Sequence, residues 1–196
     1  MNSCMSNARF QSAKQCAPVL AGIKPSNLLI LKETQSLEIM EVMDGTGLSF
    51  EYLYRGNGKS VWLVYWLEEM EKLLEQPETR LFLRSLGYRK FGLAEVFRFL
   101  KSRYTAYMSG GESYPHELGL LLGYPLEDVW GFMVNQGKNY LYSGYWKVYK
   151  NAENAKKTFA LYRTVRIEAE RLALEGKGLW EMIRALGTGR NTLPAV

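Results

Sequence analysis

Histidine and cysteine are scarce in this sequence. Among 196 residues the chain has one histidine, His116, and two cysteines, Cys4 and Cys16. This composition excludes a zinc finger and argues against a three-ligand zinc site of the usual kind, although a carboxylate-rich metal site stays open. Because Cys4 lies in a polar N-terminal stretch, we do not expect a structural disulfide between the two cysteines.

Long apolar segments are also lacking. The longest runs, "NLLIL" and "VWLVYWL", are far shorter than the roughly 20 residues that a membrane-spanning helix needs. The first fifteen residues contain Arg9 and Lys14 but no apolar segment of a secretory signal. We therefore expect a cytoplasmic protein that does not enter a membrane.

The charge is mildly basic, with a formal net charge of +5. The sequence is 47% hydrophobic and 23% charged, which is ordinary for a soluble globular protein. No run of like charge resembles a nucleic-acid-binding arm. The basic excess indicates either a solvated surface or a phosphate-facing patch.

The hydrophobic periodicity predicts an α+β fold. We expect a strand at "NLLILK", a helix at "QSLEIMEVMD" capped by Thr34, and a hairpin at "GLSFEYLYRGNGKSVWLVYW". The Asn57-Gly58 pair favours a two-residue hairpin turn. A phosphate loop at "GNGKS" is disfavoured because Leu53 stands where that motif needs glycine. The strand, helix and hairpin predict a small mixed sheet of three or four strands, packed with a mostly helical C-terminal half.

The sequence shows no internal repeat and no clear linker. We predict a flexible leader over residues 1–8, a single α+β domain over 9–186 and a flexible tail over 187–196. In the helix after the first strand, Leu37, Met40 and either Val42 or Met43 should face the core.

The segment "SYPHELGLLLGYPLEDVWGF" has the spacing of a helix-turn-helix motif. Gly119, Gly123 and Val129 occupy its small, turn and β-branched positions. The second helix, however, begins with Glu127 and Asp128, and no Arg or Lys occurs between residues 111 and 135. Acidic side chains repel phosphates, so the pattern favours a helical hairpin used for packing over a DNA-binding element.

His116 follows a proline at the start of the first of these two helices. It can cap or pack the helix, or it can serve as a general base or a metal ligand together with Glu117. Near a helix N-terminus the charged imidazolium is disfavoured, which would keep the ring neutral and able to accept a proton. His116 and Glu117 are therefore the candidate catalytic residues.

The segment "KNYLYSGYWKVYK" interleaves tyrosines with lysines. It is consistent with a half-buried strand or with a ligand-binding face, on which aromatic rings stack and lysines attract an anion. Gly144 marks a bend or a close approach of another backbone. Elsewhere, Cys16 precedes Ala17-Pro18 and is a candidate reactive thiol, with a buried inert cysteine as the alternative.

Three segments together resemble a bacterial family of domains of unknown function, numbered 3793. They are "CAPVLAGIKPSNLL" at 16–29, "PHELGLLLGYPLEDVWGF" at 115–132 and "GKNYLYSGYWKVY" at 137–149. The resemblance extends over most of residues 12–175 and implies no established activity. The family often has cysteine where this chain has Ser143, which argues against a redox or metal site shared by positions 16 and 143. The resemblance marks out a set of polar and aromatic residues: Cys16, Lys24, His116, Glu117, Tyr124, Asp128, Lys138, Tyr145, Trp146 and Lys147.

We expect the three segments to form one pocket for a small anionic or aromatic ligand. Lys24 and Lys147 would supply charge, and Tyr145 and Trp146 would stack on the ligand. Tyr124 and Lys138 are further candidates for ligand binding. The alternative is a non-enzymatic interaction domain whose basic helices dock an acidic protein partner. The residues do not identify a cofactor or an oligomeric state, and they do not decide whether the protein is an enzyme.

Overall fold

The computed structural model describes residues 7–111 and 113–187, and these residues form two compact units. The first unit consists of the described residues of 1–67 and 162–196, and the second of those of 68–161. Most of the predicted leader and tail lies outside the described residues. The boundaries of a single domain over 9–186 stay a prediction.

The described residues form nine α-helices, one 3-10 helix and five strands. The α-helices are α1 Asn7–Leu20, α2 Ile39–Met43, α3 Leu67–Glu75, α4 Pro77–Ser85, α5 Leu93–Met108, α6 Glu117–Leu121, α7 Leu126–Val134, α8 Ala152–Leu174 and α9 Leu179–Leu186. The strands are β1 Ser26–Lys32, β2 Ser49–Gly56, β3 Lys59–Tyr65, β4 Tyr142–Ser143 and β5 Lys147–Val148, and the 3-10 helix spans Glu33–Glu38. This arrangement confirms the predicted α+β class.

The sheet of the first unit has the order β1-β3-β2. The predicted strand, helix and hairpin are all present, but both strand pairs are antiparallel rather than mixed. The reason is that β1 and β2 run in the same direction with β3 between them, so the two parallel strands are not neighbours.

The predicted hairpin turn is confirmed at Asn57-Gly58. Both residues have positive φ, 52° and 70°, as a mirror-image two-residue turn requires. Because strands flank this turn on both sides, "GNGKS" is not a phosphate loop followed by a helix. A β-bulge in β2 falls between Tyr52 and Tyr54.

The helix after β1 differs from its prediction. It begins as the 3-10 helix, and Leu37 and Met40 are 89% and 68% exposed instead of facing the core. The tighter 3-10 turn changes the rotation per residue, so that Ile39 and Met43 become the buried apolar positions. The residue at the N-cap of the 3-10 helix is Lys32. Thr34, the predicted cap, lies inside this helix instead.

The core of the first unit lies between α1, one face of the sheet, the C-terminal half of α8 and α9. Helix α1 continues through Pro18, and Gly22, with φ of 70°, follows its end. The fully buried apolar residues of this core include Ala13, Val19, Leu29, Val64, Ala169 and Met182.

The second unit is built around the α6-α7 hairpin. Phe82 of α4 packs with Leu120 and Val129 in one cluster, and Val148, Ala155 and Phe159 form another. No helix within residues 7–111 and 113–187 has the length and apolar character needed to cross a membrane.

Candidate functional site

The α6-α7 hairpin forms because two glycines permit it. A Cβ atom at Gly119 would lie 3.2 Å from Cγ2 of Val129, so the two helices approach more closely than a larger residue would allow. Gly123, with φ of 74°, reverses the chain between them. The predicted positions of this packing hairpin are confirmed.

Asp128 in the first turn of α7 fixes the segment that follows the helix. Its Oδ1 atom accepts hydrogen bonds from the backbone N–H groups of Tyr149 and Lys150, at 2.7 and 3.0 Å. Its Oδ2 atom accepts one from the indole Nε1–H of Trp146, at 2.7 Å. The carboxylate is only 3% exposed, and these charge-assisted bonds compensate for its burial.

Strands β4 and β5 form a short hairpin next to α7. Tyr142 pairs with Val148, and Ser143 pairs with Lys147. Gly144 lies against the ring of Phe159, and a Cβ atom at this position would overlap that ring. The bend predicted at Gly144 is confirmed. The neighbour that approaches this glycine is an aromatic side chain and not another backbone, as the alternative had it.

An aromatic stack connects the helical hairpin to β5. The rings of Tyr124 and Trp146 are stacked, with centroids 5.0 Å apart and an interplanar angle of 26°. Phe159 meets Trp146 edge-on at 4.4 Å. Trp146 is thus held in one orientation by its ring contacts and by the hydrogen bond to Asp128.

A cavity of about 360 Å³ opens between α6, α7 and the β4-β5 hairpin. Five of the polar and aromatic residues that the resemblance marks out line it: His116, Tyr124, Asp128, Trp146 and Lys147. The rest of its lining is Tyr114, Gly119, Val129, Phe132, Ser143 and Gly144. The second and third motif segments thus contribute to one concave site.

His116 lies between two aromatic rings at the cavity wall. Its ring centroid is 5.8 Å from that of Tyr114 and 5.6 Å from that of Phe132. The imidazole hydrogen-bonds to no side chain or backbone group within the part of the chain that the structure describes. Burial lowers the pKa of His116 below its ordinary value, and the nearby Glu117 partly opposes this effect.

Lys147 brings a positive charge to the same cavity. Its Nζ atom donates a hydrogen bond to the carbonyl oxygen of Gly137 at 2.7 Å and lies 5.7 and 5.0 Å from the ring centroids of Phe132 and Tyr140. These contacts fix the ammonium group near the aromatic wall.

Glu117 has a different environment from its neighbour His116. It is 0% exposed and accepts hydrogen bonds from the Tyr88 hydroxyl at 2.9 Å and from Nε of Arg103 at 2.6 Å. Burial and the adjacent carboxylate raise the pKa of Tyr88, which keeps that hydroxyl a donor. Glu117 is not part of the cavity lining, and its carboxylate belongs to a buried ion pair.

Comparison with protein families finds a match over most of the chain. The family model described as protein of unknown function (DUF3793) matches residues 13–183. The chain belongs to the DUF3793 family. No curated protein and no solved structure matches it. Membership of this family therefore assigns no activity to the chain, as the resemblance implied.

Two further residues predicted to bind a ligand in this DUF3793 chain lie on exposed positions. Lys138 follows α7, and Tyr145 is in the turn of the β4-β5 hairpin with its ring tilted against Phe159. Neither lines the cavity. Their role in binding stays a prediction.

The remaining predicted residues of the DUF3793 chain, Cys16 and Lys24, belong to the first unit. Cys16 is 0% exposed and Lys24 is 5% exposed. The Lys24 amine donates a hydrogen bond to Oδ1 of Asn27. Burial raises the pKa of the Cys16 thiol to about 12 and lowers the pKa of Lys24 to about 8.

Sequence analysis did not select Tyr114 or Phe132, although both flank His116 in the cavity wall. Their positions carry a weak signal, since Tyr114 is two residues before His116 and Phe132 ends the second family segment. Arg103, the partner of Glu117, is on α5 outside the family segments, and only the three-dimensional structure reveals the pair. Within residues 7–111 and 113–187, no three His, Cys, Asp or Glu side chains are grouped as a metal site would require.

Proposed function

We propose that this member of the DUF3793 family binds a small planar anion in the cavity between α6, α7 and the β4-β5 hairpin. This proposal rests on the observation that aromatic rings and the Lys147 ammonium line the cavity. The two buried carboxylates nearby, those of Glu117 and Asp128, already accept hydrogen bonds. A small pocket with an aromatic wall and a few convergent polar groups is the usual form of a ligand site.

The aromatic wall supports a planar ligand. Tyr124 and Trp146 are pre-arranged by stacking, and Phe132 and Tyr114 contribute ring surfaces on the side of His116. Rings held in place lose little conformational entropy on binding, so that a flat molecule gains contact area at low cost. The volume of about 360 Å³ is at the lower end of ligand pockets, which favours a small ligand.

The polar groups support a negative charge on that ligand. An ammonium group has three N–H donors, and Lys147 uses one of them on Gly137. Asp128 also lines the cavity, but both of its oxygens accept hydrogen bonds from N–H groups. A ligand carboxylate would therefore meet a donor at Lys147, whereas a ligand cation would find the carboxylate of Asp128 already engaged.

The proposal can be tested with simple aromatic anions. We would titrate the protein with benzoate, nicotinate and phenyl phosphate by calorimetry, with benzamide as the neutral probe of similar shape. We expect at least one anion to bind at least about ten-fold more tightly than benzamide, since a charge-assisted hydrogen bond contributes roughly 1.5–3 kcal/mol. Equal binding of neutral and anionic probes, or no binding of any probe, would contradict the proposal.

Two lysine variants locate the charge. Lys147→Met should weaken the preference for the anion, because it removes one positive charge from the cavity wall. Lys138→Met is the matched variant, and we expect it to bind like the wild type because Lys138 is exposed and does not line the cavity. The reverse order would place the ligand on the exposed segment after α7.

A second candidate function is the docking of a protein partner, which two exposed apolar residues favour. Val134 is the last residue of α7 and Leu141 precedes β4, and both are largely exposed. Exposed apolar surface is typical of interaction sites. A Val134→Ser, Leu141→Ser variant that loses a co-purifying protein but retains benzoate affinity would support this function. DNA binding has less support, since Asp128 and Gly131 of α7 contact the segment at Trp146–Lys150 instead of facing outward.

A further inference from the structure

His116 is the one imidazole of the chain, and it lines the cavity without a hydrogen-bond partner in the described part of the protein. Two rings hold it in place, with Tyr114 meeting it edge-on and Phe132 tilted against it. A half-buried imidazole without partners has one donor and one acceptor left to offer. The position therefore fits a group that completes its hydrogen bonds only when a ligand is present.

The charged groups around His116 come from four elements. Glu117 of α6 favours the imidazolium, but it is paired with Arg103 of α5, which opposes it. Asp128 of α7 and Lys147 of β5 line the same cavity, and both are hydrogen-bonded. No neighbouring charge therefore compensates fully for the burial of the ring, and the neutral form is favoured in the empty cavity.

We propose that His116 is a second hydrogen-bonding partner of the ligand's anionic group, beside Lys147, and that the ligand binds together with one proton, taken up from solvent by the imidazole. This inference rests on the proposed function. An anion in contact with the ring stabilises its charged form and so reverses the effect of burial. The proton goes to the ring nitrogen that lacks one, and no covalent bond forms or breaks.

Coupled proton uptake makes the affinity depend on pH. An ordinary histidine titrates near pH 6.5, and the pKa of His116 in the empty cavity lies below that value. Bound anion raises the pKa of the ring, so that the affinity increases as the pH falls between the bound and the free pKa. The increase is at most about ten-fold per pH unit, which is the limit for one proton.

The test uses benzoate and the NMR signal of the ring. Because His116 is the only histidine, its Cε1–H resonance in the tag-free protein needs no assignment. We expect its titration midpoint to lie below the ordinary value without benzoate and to rise when benzoate is added at saturating concentration. Calorimetry at pH 7 in PIPES and in Tris, which differ in ionisation enthalpy, should report uptake of up to one proton.

Two variants separate the outcomes. His116→Gln retains a hydrogen-bonding side chain but cannot titrate, so it should bind benzoate with no proton uptake and with a pH-independent affinity. Lys138→Met changes an exposed residue that does not line the cavity, and it should retain the uptake. Benzoate binding without proton uptake in the wild type would overturn this inference and leave the proposed function standing. Failure of all the aromatic anions to bind would overturn both.

Discussion

Two pairs of motif residues have similar chemistry and opposite surroundings. In the first unit, the Cys16 thiol and the Lys24 amine are enclosed, with exposures of 0% and 5%. In the second unit, the His116 imidazole and the Lys147 amine line a cavity. Each pair combines a base or nucleophile with a cation, so residue type alone does not distinguish a packed pair from a pair that lines a cavity.

The difference lies in what burial does to each group. Enclosure raises the pKa of Cys16 to about 12 and lowers the pKa of Lys24 to about 8, so both groups are driven toward their neutral forms. At pH 7 the thiol is neutral, whereas Lys24 with a pKa of about 8 is still mostly protonated. Both groups are enclosed, and the pair contributes to packing. His116 and Lys147 have space in front of them, and a ligand can therefore change their protonation or hydrogen bonding.

The largest effect on stability should come from a substitution at Glu117. This predicted catalytic residue is as enclosed as Cys16. Glu117→Gln removes the charge that pairs with Arg103 and leaves that cation partly buried. We expect the free energy of unfolding to fall by roughly 3–5 kcal/mol, measured by urea denaturation. Glu153→Gln, at an exposed pair with Lys156, is the matched control and should leave the free energy of unfolding almost unchanged, because exposed ion pairs are weak. A Glu117→Gln protein of normal stability that binds no benzoate would place Glu117 in the site instead.

An intermediate effect on stability should come from Asp128, which is buried and also lines the cavity of the second unit. In Asp128→Asn the amide oxygen can still accept from the backbone of Tyr149 and Lys150, but the NH2 group then faces the indole N–H of Trp146. We expect a loss of about 2 kcal/mol in stability and a change in tryptophan fluorescence. Glu127→Gln, on the adjacent exposed position, should change neither quantity. Unchanged fluorescence in Asp128→Asn would mean that this hydrogen bond does not hold Trp146.

Sequence patterns predicted the parts of this fold that depend on local chemistry. The Asn57-Gly58 turn, the β1 strand and the α6-α7 hairpin follow from turn residues, apolar runs and small residues, and all are confirmed. The inward face predicted for the helix over residues 35–44 was wrong at Leu37 and Met40 and right at Met43. Apolar spacing cannot distinguish a 3-10 turn from an α-turn. The antiparallel sheet and the Glu117–Arg103 pair depend on contacts between distant segments, which a single sequence does not contain. For the same reason the sequence predicts one pocket that includes His116, Lys147, Cys16 and Lys24. It does not reveal that only His116 and Lys147 line the cavity described above.

A smaller effect should appear in the pH dependence of stability at Lys24. An unfolded lysine titrates near 10.5 and the enclosed Lys24 near 8, so between these values the unfolded chain binds the additional proton. The free energy of unfolding should therefore rise as the pH approaches and enters this window, by about 1 kcal/mol between pH 7 and pH 9 relative to Lys24→Met. Lys14→Met, on an exposed position of α1, should retain the rise. Parallel stability curves for the wild type and Lys24→Met would show that Lys24 is not enclosed.

The last prediction concerns no change in stability. It is that the thiol of native Cys16 does not react. A thiol reacts as the thiolate, and with a pKa of about 12 instead of 9 the thiolate fraction at pH 8 falls about a thousand-fold. In a Cys4→Ser background, iodoacetamide should label the native protein at least that much more slowly than the protein unfolded in guanidinium chloride. Labelling of native Cys16 within about ten-fold of the unfolded rate would make it the reactive thiol that the sequence allowed. The contrast between the two pairs would then fail, because an enclosed residue would be as available to chemistry as one that lines the cavity.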